Sequence, residues 1–118
     1  MISHIVLFEP KASMSLPDKR LFAQSVLSVC SRIEFVQRLS IGRRTNVDVG
    51  YERSFGDKTY EYSAVLEFET RERLIQYLTN PLHAELGRLF WENCERTVIC
   101  ETESVDPSSP HAVDLLVL

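Results

Sequence analysis

Hydrophobic positions recur along this chain with two spacings, one typical of strands and one typical of helices. Residues 2–8 form a short apolar run rich in β-branched side chains that ends before Pro10, which predicts a strand buried on both faces. Residues 60–68 alternate cleanly between apolar and polar side chains, and residues 35–43 also look extended. With a last strand at 97–102, the pattern predicts four strands.

Three segments carry apolar residues at helical spacing. The first starts after Ser15, which can cap it, and the second starts after Thr70. The third starts at Asn80-Pro81, because proline favours the first turn of a helix and asparagine caps it well. The predicted core positions of the three helices are Phe22, Val26, Val29, Cys30 and Ile33, then Leu74, Ile75 and Leu78, then Leu82, Leu86, Leu89 and Phe90, with Trp91 alongside.

The order β-α-β-β-α(α)-β predicts the fold class α+β. We expect a ferredoxin-like βαββαβ protomer, with a four-stranded antiparallel sheet and its helices on one face. The other face would then stay bare, and an apolar patch of that size needs a partner. A second copy is the simplest partner, so we expect a homodimer. The residues expected to include the apolar groups of this bare face are Gln37, Leu39, Ile41, Val65 and Ile99.

The chain divides at about residue 104. Residues 1–104 are expected to form the domain, and residues 105–118 a proline-containing linker followed by an arm. The arm is rich in aliphatic residues, so it is expected either to be disordered or to add a strand to a sheet edge, exchanged between protomers. Residues 45–59 form a long polar connection for which a lid role is open.

Composition narrows the function classes. The chain has 118 residues, a formal net charge of -4 and a pI near 5.4, which argues against a nucleic-acid partner. No apolar run is long enough to span a membrane, and the N-terminus does not resemble a signal peptide. Three cysteines without C-x-x-C spacing fit reduced thiols in the cytoplasm. The spacing of His4, His83 and Glu85 matches no strong metal site, so no metal is expected.

The junction between the second and third helices is the candidate site. It can aim Tyr77 and His83 at the same space, and a phenol beside an imidazole can move protons on a bound carbonyl compound. The same residues also have a purely structural interpretation. His83 could be a partly exposed residue of a first helical turn, Tyr77 a half-buried aromatic, and His4 a buried histidine with a satisfied hydrogen bond.

The residues at three places resemble the stress-responsive α/β-barrel (Dabb) family. Residues 4–8 (His-Ile-Val-Leu-Phe) resemble its opening H-x-V-x-F strand. Residues 60–77 resemble its third strand and second helix. Residues 80–83 (Asn-Pro-Leu-His) resemble its H-P-x-H element, with Asn80 in place of the first histidine. The likeness covers roughly residues 2–103, and the order and spacing of these elements carry it.

The resemblance implies a dimeric α+β barrel formed by two ferredoxin-like protomers. Its olivetolic acid cyclase-like members imply cofactor-free cyclase or isomerase chemistry, with His83 as the base and Tyr77 as its catalytic partner. A pocket for a small carbonyl or aromatic compound would then include four ligand-binding residues, which are His4, Tyr62, Phe68 and Phe90. Tyr62 replaces a pocket histidine of those members, so the substrate would differ. Two alternatives stay open: a non-catalytic ligand-binding or stress-related structural dimer, and a cofactor-free monooxygenase.

Overall fold

A computed structural model describes residues 1–45, 47 and 58–117 of the chain. It contains the predicted element order followed by a short helix at the end. The strands are β1 (Ile2–Pro10), β2 (Arg38–Arg43), β3 (Tyr62–Phe68) and β4 (Cys94–Glu103), and the helices are α1 (Leu16–Cys30), α2 (Arg71–Leu78), α3 (Pro81–Asn93) and α4 (Ala112–Val117).

The four strands form one antiparallel sheet in the order β2-β3-β1-β4. This confirms the predicted ferredoxin-like protomer. Buried positions alternate from His4 onward in β1 and from Ala64 onward in β3, so both strands send one set of side chains into the core. The buried core joins these strands to the three longer helices, and its members include Val6, Phe8, Phe22, Val26, Val29, Leu66, Phe68, Leu74, Leu86 and Leu89.

Each of the three longer helices begins at a side-chain cap. Ser15 Oγ accepts from the Asp18 backbone N–H at 3.2 Å, and Thr70 Oγ1 accepts from the Arg73 N–H at 3.2 Å. Asn80 Oδ1 accepts from the Leu82 N–H at 2.9 Å, with Pro81 as the first residue of α3. These contacts satisfy backbone donors that a helix start leaves unpaired. The predicted helix starts are therefore confirmed.

The face of the sheet opposite the helices differs from its prediction. Leu39 and Ile41 pair with the core residues Leu66 and Ala64, and Ile99 pairs with Val6. Because directly paired residues share a face, these three lie on the helix side of the sheet. Their predicted assignment to the open face was wrong. Val65 was assigned correctly. The apolar residues of the open face are Ile5, Leu7, Val65, Val98 and Cys100.

Four further predictions change in detail. The strand expected at 60–68 starts at Tyr62, and the last strand is longer than expected. Ile75 is 47% exposed instead of lying in the core, because α2 turns Leu74 and Tyr77 inward. The C-terminal arm forms the helix α4, where either disorder or an added strand was expected. The lid question for residues 45–59 lies mostly outside the described residues.

Candidate functional site

Three aromatic side chains from three elements meet on the helix side of the sheet, near the start of β1. His4 comes from β1, Tyr77 from the last turn of α2 and His83 from the first turn of α3. The ring centroids lie 5.0 Å apart for Tyr77–His83, 5.5 Å for His4–Tyr77 and 6.3 Å for His4–His83. Each pair meets edge to face. The structure thus brings the candidate catalytic pair together with the strand histidine.

The break between α2 and α3 creates this arrangement. The Asn80 backbone N–H donates to the Tyr77 carbonyl at 3.1 Å, and the Asn80 carbonyl accepts from the His83 N–H at 3.0 Å. One residue therefore links the turn that carries the phenol to the turn that carries the imidazole. Pro81 fits this position because a first helical turn does not need its missing N–H.

A fourth residue, Glu101 on β4, completes the cluster. His4 and Glu101 are direct partners in the β1–β4 register, and His4 Nδ1 lies 2.9 Å from Glu101 Oε1. A carboxylate can only accept, so His4 Nδ1 carries the proton of this hydrogen bond and Nε2 is the ring nitrogen left for another partner. Sequence reasoning missed Glu101, because only the strand register places it beside His4.

Burial favours the neutral forms of both Tyr77 and His83. Tyr77 is 3% exposed, and this burial raises the pKa of its phenol, with a smaller contribution from Cys30. Burial also lowers the pKa of His83, and the neighbouring His4 lowers it further. A hydrogen bond to the Leu78 backbone and the charge of Glu101 act in the opposite direction on His83. At neutral pH the site therefore offers a neutral base beside a protonated phenol.

Two polar atoms of the cluster remain accessible although their rings are buried. The Tyr77 hydroxyl and His4 Nε2 make no hydrogen bond with any described residue. Among those residues, no fully buried side-chain nitrogen or oxygen lacks a partner, so these two atoms must reach solvent-accessible space. Tyr77 also lines a cavity of about 200 Å³ together with Arg32, Phe35, Asn80 and others. A small ligand in this cavity would contact Tyr77, whereas His4 and His83 are not among its lining residues.

Two of the other predicted ligand-binding residues, Tyr62 and Phe90, lie apart from this cluster, whereas Phe68 packs against it. Tyr62 stacks on Phe8 and lines a second, almost wholly apolar cavity of about 210 Å³ between α1 and the sheet. Phe8 follows His4 by four strand residues, so this cavity is roughly 13 Å along β1 from the ring cluster. Phe90 packs edge-on against Phe8. Phe68 is fully buried against Tyr77, with ring centroids 5.3 Å apart.

The potential metal ligands of the chain do not gather in the described regions. No group of three or more His, Cys, Asp or Glu side chains there could hold a metal ion. The three cysteines are unpaired; Cys30 and Cys94 are buried, and Cys100 is exposed on the open face of the sheet. No helix within the described ranges is long and apolar enough to cross a bilayer.

A family model describes almost the whole folded part of the chain. The stress-responsive A/B barrel domain, Dabb, matches residues 2–104. The chain belongs to this family. The match ends at the point where β4 ends, so the linker and α4 lie outside the Dabb domain. The comparison with curated protein sequences gave no match.

Solved structures share the fold of this Dabb protein at low sequence identity. A Dabb family protein from Mesorhizobium loti is 23% identical, with 89% of this chain and 97% of that chain covered and a TM-score of 0.67. The hydroxynitrile lyase from Passiflora edulis is 15% identical (92% and 96% covered, TM-score 0.70). A dimeric ferredoxin-like protein of unknown function from Bacteroides fragilis is 20% identical (87% and 95% covered, TM-score 0.64). These likenesses show the fold alone.

Proposed function

We propose that this Dabb protein is a homodimer whose ring cluster transfers a proton to or from a small carbonyl compound, using only its own side chains. The observation that carries the proposal is the convergence of Tyr77, His83 and His4 within 6.3 Å, with His4 anchored by Glu101. Neutral acid–base groups in a mostly buried site are what such a reaction needs.

The three side chains take separate roles in this reaction. The Tyr77 hydroxyl donates a hydrogen bond to the carbonyl oxygen, whose negative charge grows as an enolate forms. The neutral imidazole of His83 accepts the proton from the carbon next to the carbonyl. His4 positions the ligand through Nε2, while Glu101 fixes the orientation of the His4 ring. The same proton then returns to the product.

The dimer follows from the open face of the sheet. Ile5 pairs with Val65 on one side and with Cys100 on the other, and Leu7 pairs with Val98. These side chains form a continuous apolar surface that no helix of the protomer covers. A second copy can cover it by placing the same face against it, which is the arrangement expected for a two-fold interface. The dimeric Bacteroides fragilis neighbour supports this assembly.

A second candidate function is ligand binding without chemistry. The cavity beside Phe8 and Tyr62 favours it, because its lining is apolar and it lies away from the ring cluster. It would hold a small aromatic or aliphatic molecule. Such binding would depend on Phe22 and Tyr62 and would not change when His83 is replaced.

Deuterium exchange tests the catalytic proposal without knowledge of the natural substrate. Phenylacetone in D₂O is a suitable probe, because loss of its α-proton NMR signal reports enolate formation. We expect the wild-type protein to accelerate the exchange and His83→Ala to remove about 100-fold or more of that acceleration. Tyr77→Phe should lower the rate by a similar factor.

His111→Ala is the matched control, because His111 is exposed and lies outside the Dabb domain. Its exchange rate should equal that of the wild type. Equal rates for the wild type and His83→Ala would reject the catalytic role. Binding of phenylacetone that survives His83→Ala and is lost in Phe22→Ala would instead favour the second candidate.

A further inference from the structure

The helix α4 carries apolar side chains that its own protomer does not cover. None of its residues is buried, and Leu116 is 84% exposed. Val113 and Val117 are exposed as well. A helix of six residues is too short to be stable by itself in water, so it needs packing against another surface. The arm therefore lacks its partner surface in the isolated protomer.

The linker fixes the point at which the arm leaves the Dabb domain. Ser104 is tied to the start of the chain, because its backbone N–H donates to the Met1 carbonyl at 3.0 Å. Asp106 Oδ1 then accepts from the backbone N–H and the hydroxyl of Ser108, which folds the linker into a turn.

A groove of complementary character lies at the other end of β4. It has a volume of about 580 Å³ and combines the apolar side chains of Phe90, Trp91 and Ile99 with two basic side chains, Lys11 and Arg96, and one acidic side chain, Glu95. Trp91 is 85% exposed, which is exceptional for the largest apolar side chain in the chain. An apolar helix with one acidic residue fits such a groove, and α4 carries Asp114.

A nearer groove is a poorer match for α4. It lies between α2 and the end of β4, where the arm begins, and its apolar residues include Ile75 and Leu78. Glu101, Glu103 and Arg71 line the same groove. Two carboxylates and one basic side chain therefore face Asp114 here, whereas the groove beside Trp91 offers two basic side chains and one carboxylate. Charge complementarity therefore selects the groove beside Trp91.

The position of this groove also favours a second copy as the source of the helix. β4 is an edge strand, with Val98 and Cys100 on the open face and Ile99 in the groove. A copy that covers the open face therefore lies next to the groove. We propose that α4 of each protomer docks beside Trp91 of the partner, so that the two C-terminal arms are exchanged. This inference rests on the proposed homodimer.

The single tryptophan of the chain reports on the groove. In the full-length wild type, a docked α4 shields Trp91 and shifts its fluorescence emission to shorter wavelength. Leu116→Asp should release the helix, with emission at longer wavelength and several-fold stronger quenching by acrylamide. Leu21→Asp is the matched control, because Leu21 is an exposed leucine on α1 outside the groove. It should leave the emission unchanged.

A mixed dimer shows from which subunit the helix comes. Leu116→Asp subunits keep Trp91 but lose a functional arm, whereas Trp91→Phe subunits keep the arm and emit no tryptophan signal. In a co-expressed heterodimer purified through two tags, exchanged arms should restore the shielding of Trp91. If Trp91 is shielded in the wild type but not in the heterodimer, α4 docks within its own protomer and the exchange is rejected.

Two other outcomes would also overturn the inference, one by rejecting the exchanged arm alone and one by rejecting the homodimer as well. If Trp91 of a dimeric wild type is as accessible as in Leu116→Asp, the groove is empty and only the exchanged arm is rejected. If sedimentation shows a monomeric wild type, the proposed homodimer fails together with the exchange. Retained phenylacetone exchange in that monomer would still support the ring cluster.

Discussion

His4 Nδ1 lies 2.9 Å from Glu101 Oε1, and the two residues face each other directly across the β1–β4 pair. The imidazole is 3% exposed, while the carboxylate is partly open to solvent. This contact connects a strand in the middle of the sheet to an edge strand, and it fixes which ring nitrogen of His4 remains free. The orientation of the candidate site therefore depends on a residue outside the α2–α3 junction.

Loss of this contact should destabilise the fold. Glu101→Leu leaves a buried N–H without its acceptor, and we expect the free energy of unfolding to fall by about 1–3 kcal/mol. Glu101→Gln keeps an acceptor oxygen and should have a smaller effect. Urea denaturation measures both changes. Glu103→Leu is the control on the same strand, since Glu103 is exposed, and a loss of stability equal to that of Glu101→Leu would contradict the role of the contact.

Two substitutions of Tyr77 should distinguish the structural role of its ring from the catalytic role proposed for its hydroxyl. Its ring packs against Phe68 and two imidazoles, so Tyr77→Ala should cost about 3–5 kcal/mol of stability. Its hydroxyl has no hydrogen-bond partner among the described residues, so Tyr77→Phe should change stability by less than about 1 kcal/mol. Thermal unfolding checks both values. A large loss of stability in Tyr77→Phe would show that the hydroxyl is structural.

The sequence predicted the local features of this site and missed the long-range ones. Asn80, Pro81 and the helical spacing identified the junction, because caps and proline act on neighbouring residues. Glu101 was missed because its position depends on the β1–β4 register. The open face was partly misassigned because a shift of one residue moves a side chain to the other face. The pattern of α4 fits a strand or a helix, since six aliphatic-rich residues do not distinguish the two.

Replacement of an apolar residue on the open face should dissociate the dimer. Val98→Asp places a charge on the apolar surface that two copies would share, and a buried unpaired charge is strongly unfavourable. Sedimentation should then show a monomer at micromolar concentration. Ile75→Asp is the control, because Ile75 is equally apolar and exposed but lies on a helix. A dimer that survives Val98→Asp would place the interface elsewhere.

Acidification should weaken the fold through His83. Its pKa in the folded chain lies below the ordinary value of 6.5, so between these two values the unfolded chain binds more protons at this position. The stability gained from a neutral His83 is therefore complete above pH 6.5 and is lost as the pH falls through this window. Urea denaturation at several pH values should show this loss in the wild type and less of it in His83→Gln. NMR titration of the histidine C–H signals should give His83 a lower pKa than an unstructured histidine peptide, and a value at or above 6.5 would remove the case for a neutral base.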